Sequence, residues 1–398
     1  MKIKKITFDI FLNIIAAALP IAMLQLVIYP LVAKNIGGKE YGLMLTIYSI
    51  WIMIPFSLGN VLNNVKLLKF SKYQEYNVKG DSILLLRQWT IFSSVVVFVL
   101  IWAYCGHFSF LHAVIGTIIS VLFLLKAYLE VGFRIELNYI AILISNALLS
   151  LGFLAGYLIF RFSGIWEFIF LLGYIFPCVY CGFKTHLLSE EPRKTILYSE
   201  VKKDACSLAF SVVIKNLTHY ADKLVLYPLM GGMAVSIYYT ATILGKITGM
   251  LTGPFNSVML SYIARWDNKK ANVFAKVFII GSVICIFGYI VAILLARPII
   301  GLLFPQWLDA VMAIFPLTTL AIMLGILSTI LNPFVLKYCK IQWQIGINLA
   351  SSVIYFGSAL FLWYYKGLEG FCIGTVIGAL TRLIILISVY YKSVKSTE

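Results

Sequence analysis

Charged residues are scarce in this chain of 398 residues, in which Asp, Glu, Lys and Arg together make up 12% of the sequence. A soluble domain carries about twice that share. Apolar residues make up 61%, and the mean hydropathy is +0.95. A composition this poor in charge excludes an ordinary soluble fold. The chain is therefore predicted to be an all-α membrane protein that crosses the bilayer many times.

Long polar segments are also missing, since no segment between two apolar runs exceeds roughly twenty residues. This leaves no room for a nucleotide-binding or glycosyl-transfer domain, and the sequence contains no Gly-rich Walker loop. The short outer segments are poor in the carboxylates that a membrane polymerase would need. We therefore predict a protein that is not an enzyme and that has no cofactor and no catalytic residues.

Cysteine gives no metal or redox signature either. The seven cysteines are scattered, mostly within apolar runs. Cys178 and Cys181 form one C-x-x-C pair, but no second pair accompanies it, and the surrounding residues are apolar and helical in pattern. Packing explains this pair better than a metal site or thiol chemistry does.

Runs of about 20 apolar residues predict twelve membrane spans. The predicted spans are 8–33, 43–65, 83–105, 109–131, 139–160, 164–187, 205–229, 236–263, 273–296, 308–336, 342–364 and 368–390. The first run has no cleavage site of small residues, so it is predicted to be a retained span rather than a signal peptide.

Basic residues concentrate on alternate sides of these spans. Lys79, Lys194 and Lys395 are examples that follow even-numbered spans, whereas the opposite side carries few charges. The positive-inside rule then places both termini in the cytoplasm. The net charge of +16 is explained in this way, and no basic patch with interleaved aromatics suggests nucleic acid. The predicted location is a bacterial inner membrane.

A short sequence repeats at about half the chain length. The segment YPLVAKNIGGKEYGLMLTIYSI begins at Tyr29, and YPLMGGMAVSIYYTATILGK begins at Tyr227. Each copy ends one span and begins the next on the same predicted side. This spacing predicts two parallel six-helix halves around a central cavity. The halves would be residues 1–187 and 205–398, joined by a cytoplasmic linker at 188–204.

Span 7 carries charge where a membrane helix should have none. Four residues share one helical face within roughly 80°, and they are Lys215, His219, Asp222 and Lys223. Such a stripe must face protein or a water-filled cavity. One interpretation is a cationic lining for an anionic head group, with ion coupling through Asp222 or His219. The other is a buried Lys215–Asp222 ion pair that only holds helices together, while Lys223 extends toward the interface.

Other polar residues within the predicted spans are further candidates. Lys246 of span 8 could contact a head group, and the amides of Asn60 and Asn64 in span 2 could bond sugar hydroxyls. Hydrogen bonding between helices explains these amides equally well. Arg382 of span 12 could bind substrate or extend to the interface.

Three segments resemble one family. They are AKNIGGKEYGLMLTIYSI, HYADKLVLYPLMGGMAVSIYYTATILGKI and YKGLEGFCIGTVIGALTRLIILISVYYK. They resemble the Wzx-type O-antigen and polysaccharide flippases of the multidrug/oligosaccharidyl-lipid/polysaccharide exporter (MOP) superfamily. Ser236 departs from the Gly or Ala of many relatives, and Asp222 and Tyr238 are the best-matched positions.

The resemblance implies a flippase that moves an undecaprenyl-diphosphate-linked oligosaccharide to the periplasmic leaflet by alternating access. The bilayer and the polymerase and chain-length machinery of the same pathway would be its partners. Under this hypothesis the head group is bound by Lys215, Lys246, Asn60, Asn64 and Arg382, and ion coupling uses Asp222 and His219. The alternatives are a membrane enzyme of the same pathway, or a multidrug exporter of the same fold.

Overall fold

The structure is a computed structural model, and it describes residues 3–105, 110–250, 271–339 and 342–395. Within these ranges the chain is helical and contains no strand, as predicted. The side chains of Lys215, His219 and Lys246 lie outside the described residues, as does the end of predicted span 8 after residue 250.

The helices are numbered here in chain order. They are α1 (Ile3–Ala22), α2 (Tyr29–Trp51), α3 (Ser57–Leu68), α4 (Phe70–Glu75), α5 (Asp81–Cys105), α6 (Phe110–Leu129), α7 (Val131–Ile135), α8 (Tyr139–Ser163), α9 (Glu167–Thr185), α10 (Tyr198–Met250), α11 (Ala271–Leu303), α12 (Leu308–Tyr338) and α13 (Gln342–Lys395). Wider π-helical turns at Met23–Ile28 and Ile52–Phe56 join α1, α2 and α3 into one continuous path.

Among the described residues, nine helical segments are long and apolar enough to cross a membrane. Three of them contain a glycine whose backbone leaves the helical conformation: Gly37, Gly231 and Gly367. Each of these glycines lies between two predicted spans. Because a broken helix can reverse direction there, the nine segments are approximately consistent with the twelve predicted spans.

The turns at Gly37 and Gly231 have almost the same conformation. Gly37 has φ 73° and ψ 172°, and Gly231 has φ 76° and ψ 178°. A positive φ favours glycine, which has no Cβ to clash. Both glycines belong to the Gly-Gly pairs of the predicted repeat. The likeness extends to the helix that follows, where Thr46 and Thr240 each donate to the carbonyl four residues earlier.

The described chain contains two compact units, residues 1–235 and 236–398. In the first, Phe123 and Tyr174 stack with ring centroids 3.7 Å apart within an aromatic core. In the second, Phe274 and Tyr390 stack at 3.9 Å. The first unit thus includes α10 as far as its glycine turn. The predicted halves, residues 1–187 and 205–398, are defined by the sequence repeat and not by compact units, and they stay a prediction.

Within the first unit, the Gly231–Gly232 turn lies directly against α2. A Cβ atom added at Gly42 would overlap the carbonyl of Gly232, and one added at Gly232 would overlap the carbonyl of Lys39. The two backbones therefore touch without side chains between them. The absence of a Cβ, as much as the positive φ next to it, makes glycine necessary at these positions.

This contact predicts that Gly232→Ala destabilises the protein. The added methyl group overpacks a backbone contact, which costs about 1–3 kcal/mol, and the thermal unfolding midpoint in detergent should fall. Gly357→Ala in α13 is the matched control, since an added Cβ there meets open space. Its midpoint should stay level or rise, and equal losses in the two variants would contradict the contact.

Candidate functional site

A polar stripe of span 2 lies on α3, and part of it is hydrogen-bonded to other helices. Its residues are Ser57, Asn60 and Asn64, with Asn63 beside them. Nη1 of Arg134 on α7 donates to Oδ1 of Asn63 at 2.6 Å and to Oδ1 of Asn64 at 2.9 Å. The amide of Asn63 also donates to the carbonyl of Ala127 at 2.8 Å. Asn64 is thus bonded within the protein in this conformation.

About two turns earlier on α3, the stripe contacts α10. The side-chain amide of Asn216 donates to Oγ of Ser57 at 2.5 Å, which connects span 2 to span 7 within the first unit. Asn60 lies between Ser57 and Asn64 and is half-buried. Its amide makes no hydrogen bond to another described residue, in contrast to Asn63 and Asn64.

The end of α3 is fixed by ion pairs. Nζ of Lys66, which is buried, lies 2.8 Å from Glu190 and donates to the hydroxyl of Tyr128 at 3.3 Å. Just beyond α3, Lys69 pairs with Glu200 at 2.5 Å and with Asp204 at 2.7 Å. These bonds connect the predicted cytoplasmic end of span 2 to the linker and to the beginning of α10.

The pairs at the beginning of α10 are stable over a wide pH range. Hydrogen bonds from Lys69, and then from Lys72, lower the pKa of Glu200 from 4.5 to about 2. Hydrogen bonds to Asp204 and then Glu200 raise the pKa of Lys69 above 10.5. The ion pairs stabilise the fold fully between pH 4.5 and pH 10.5, the ordinary pKa values of the Glu and Lys side chains. This stabilisation is lost as pH falls through the lowered pKa of Glu200 or rises through the raised pKa of Lys69.

On span 7, Asp222 and Lys223 lie together before the glycine turn of α10. Oδ1 of Asp222 accepts from the backbone N–H of Lys223 at 2.8 Å and lies 3.7 Å from its Nζ. The Nζ atom is also 5.2 Å from the ring centroid of Tyr220. Lys223 is only 5% exposed, so the expectation that it extends to the interface was wrong. Its neighbours Asp222 and Tyr220 give the ammonium group local partners, which makes burial possible.

The remaining predicted site residues are less completely described. Lys215 directly precedes Asn216 in α10, but its side chain and those of His219 and Lys246 lie outside the described residues. Arg382 lies on α13 in the second unit and is partly buried. Its Nε atom is buried and has no hydrogen-bond partner among the described residues. An unsatisfied guanidinium N–H of this kind suits an anionic ligand.

One polar group in the first unit was missed in the sequence. Nζ of Lys126 on α6 lies 2.9 Å from Glu130 and donates to the amide oxygen of Asn146 on α8 at 2.9 Å. The signal for it was a Lys and a Glu four residues apart at the end of span 4. On a helix that spacing places the two side chains on one face.

The fold is shared with solved membrane transporters. The lipid II flippase MurJ in an inward closed conformation matches with a TM-score of 0.70 at 14% identity, covering 98% of this chain and 90% of that one. An inward-facing multidrug resistance MATE transporter of the MOP superfamily matches at 0.67 and 14% identity, covering 96% and 98%. The eukaryotic MATE transporter AtDTX14 matches at 0.62 and 14% identity, covering 97% and 98%.

The comparisons by sequence are negative. No protein-family model matches the chain, and no curated protein matches it. At 14% identity the structural likeness establishes the fold alone. The chain therefore has the fold that these MATE transporters and MurJ share. The narrower resemblance to Wzx-type flippases stays a prediction.

The Lys66–Glu190 pair predicts a double-mutant pattern. Glu190→Gln leaves a buried ammonium group without its counter-charge, which costs about 3–5 kcal/mol in buried pairs. The thermal unfolding midpoint should fall clearly, and adding Lys66→Met should restore much of it. Lys72→Ala is the control, because that side chain is 47% exposed and its pair is worth little. A double variant as unstable as the single one would contradict a coupled pair.

Proposed function

We propose that this chain is a flippase that carries a polyprenyl-diphosphate-linked oligosaccharide, such as an O-antigen repeat unit, across a bacterial inner membrane. The direction would be from the cytoplasmic to the periplasmic leaflet. The observation that supports this most is the fold shared with a lipid II flippase over 98% of the chain. The three segments that resemble Wzx-type flippases support the same class of substrate.

The charges of the spans fit such a substrate. Its diphosphate is anionic and its sugars carry many hydroxyl groups, so neither crosses hydrocarbon unaided. Spans 7, 8 and 12 carry more cations than anions. The cations are Lys215, Lys223, Lys246 and Arg382, and the anions are Asp222 and Glu369. Intramembrane charges of this kind mark substrate and ion pathways.

Each candidate residue then has a proposed role. Lys215, Lys246 and Arg382 would contact the diphosphate, and Asn60 would contact the sugars. Asn64 would contact the sugars only after its hydrogen bond from Arg134 is broken. Asp222 and His219 would bind the coupling ion. The two predicted halves would alternate access to the head group, while the polyprenyl tail stays in lipid.

Multidrug export is the second candidate, because MATE transporters share the fold at TM-scores of 0.67 and 0.62. Drugs that are cationic would be held more naturally by acidic residues. In this chain the charges of spans 7, 8 and 12 are mainly basic. The charge of the cargo therefore distinguishes the two functions.

A reconstituted assay can separate these cargoes. Proteoliposomes would receive an undecaprenyl-diphosphate-linked disaccharide that carries a fluorophore on its sugar. A membrane-impermeant reductant would then report which leaflet holds the label. We expect translocation that depends on the protein, and no uptake of ethidium by the same vesicles. Uptake of ethidium without movement of the lipid-linked sugar would contradict the flippase proposal and favour drug export.

Variants of Lys215 test the proposed contact with the diphosphate. Lys215→Ala should abolish translocation at normal abundance, and Lys215→Arg should keep part of it because the charge remains. Lys366→Ala is the control, since Lys366 is an exposed residue beside the Gly367 break. If Lys215 only neutralises Asp222, adding Asp222→Ala should restore translocation. Restored translocation in that double variant would overturn the head-group role.

A further inference from the structure

The linker that connects α9 to α10 is fixed to the first unit along its inner side. Leu187 and Leu197 are buried in an apolar core of that unit. Between them, the backbone N–H and the hydroxyl group of Thr195 donate to the carboxylate of Asp81 at 2.7 and 2.5 Å. These bonds add to the ion pair that connects the linker to the end of α3. The linker therefore has a defined inner side and a defined outer side.

The outer side of the linker is apolar at two positions. Leu188 is 50% exposed and Ile196 is 76% exposed. Each of them is the sequence neighbour of a buried leucine, Leu187 or Leu197, so the two leucines that face inward leave these neighbours on the outside. Leu188 and Ile196 lie between the ends of two spans, which places them close to the membrane surface.

Three basic residues lie on the same surface. A Cβ atom added at Gly80 would lie 3.1 Å from Cγ of Arg193, so the side chain of Arg193 packs on the backbone of the segment before α5. Lys79 directly precedes Gly80, and Lys194 follows Arg193. Nζ of Lys194 lies 5.4 Å from the ring centroid of Tyr198, the first residue of α10. The three cations are exposed and come from two separate segments of the chain.

These three cations have little negative charge to balance them. None of them forms an ion pair with another described residue. In the same two segments, Asp81 is buried and bonded to Thr195, and Glu190 is paired with Lys66. Glu191 is the exposed acid, and it supplies one negative charge against three positive ones. An anion that lies between the cations would relieve their mutual repulsion.

We propose that Lys79, Arg193 and Lys194 bind the phosphate of an anionic phospholipid head group, while Leu188 and Ile196 contact the acyl chains of the same leaflet. Basic residues next to exposed apolar ones are the combination that binds anionic membrane surfaces. A soluble anion would gain nothing from the two apolar side chains. Under the predicted topology this leaflet is the cytoplasmic one. The site is separate from the charges of spans 7, 8 and 12, and it does not depend on the identity of the cargo.

The lipid that surrounds position 196 tests this proposal in the full-length protein. Ile196→Cys, in a chain without its native cysteines, would carry a fluorophore in nanodiscs of phosphatidylcholine with about one third phosphatidylglycerol. Bromine atoms on the acyl chains, which quench fluorescence, would be placed on one lipid or on the other. We expect brominated phosphatidylglycerol to quench more than its share of the lipid accounts for, because the cations enrich it beside Ile196.

Charge variants show whether the linker causes this preference. Arg193→Gln combined with Lys194→Gln should lower the preference for phosphatidylglycerol by about tenfold or more, because each cation near the surface attracts anionic lipid. Lys34→Gln combined with Lys39→Gln is the matched control, since these two basic residues are also exposed but lie on the opposite predicted side. This control should keep the preference.

Four results would overturn the proposal. The first is a fluorophore that neither brominated lipid quenches, which would place Ile196 away from lipid. The second is quenching by each lipid in proportion to its share, and the third is a preference that the Arg193 and Lys194 variant retains. The fourth is a preference that inorganic phosphate removes when sodium chloride of equal ionic strength does not, which would identify a site for a free anion. Because no translocation is measured, failure here leaves the proposed function intact.

Discussion

A polar side chain within a bilayer must find a partner in protein or in water, because hydrocarbon offers none. The first unit meets this constraint by pairing its polar groups across helices. The pairs involve residues far apart in the chain, and they are Lys66 with Glu190, Lys126 with Asn146, Arg134 with Asn64, and Ser57 with Asn216. Each pair connects a span to another helix or to the linker. The main role of these polar residues is therefore to hold the helices of the first unit together.

Two of the polar groups that have no hydrogen-bond partner among the described residues are candidate ligand contacts. The amide of Asn60 has no described hydrogen-bond partner, and Nε of Arg382 is buried without one. An amide and a guanidinium group are the chemistry that sugars and a diphosphate need. The backbone contact between Gly42 and Gly232 fixes the other end of the first unit. The flippase proposal thus combines a scaffold of internal bonds with a small number of available donors.

The sequence predicted those features that depend on local pattern. Apolar length predicted a helical membrane protein with approximately the observed number of spans, and the Gly-Gly pairs located the turns at Gly37 and Gly231. It did not predict the partner of Lys66, since Glu190 is 124 residues away and no periodicity connects them. Lys223 was misjudged because a long basic side chain often extends to the interface, whereas here Asp222 and Tyr220 lie beside it. Tertiary contacts decide which polar residues pair between helices, and these contacts cannot be read from a single sequence.

The central claim is that the basic residues of spans 7 and 8 line a path that water enters. The test introduces a cysteine at position 215 or 246 of a chain without its native cysteines. Cells that express this chain are then treated with a membrane-impermeant cationic thiol reagent. The account predicts that both positions react, whereas a cysteine in place of Ile284, an exposed apolar residue of α11, does not react. Cysteines at 215 and 246 that stay inert in a normally abundant protein would contradict it.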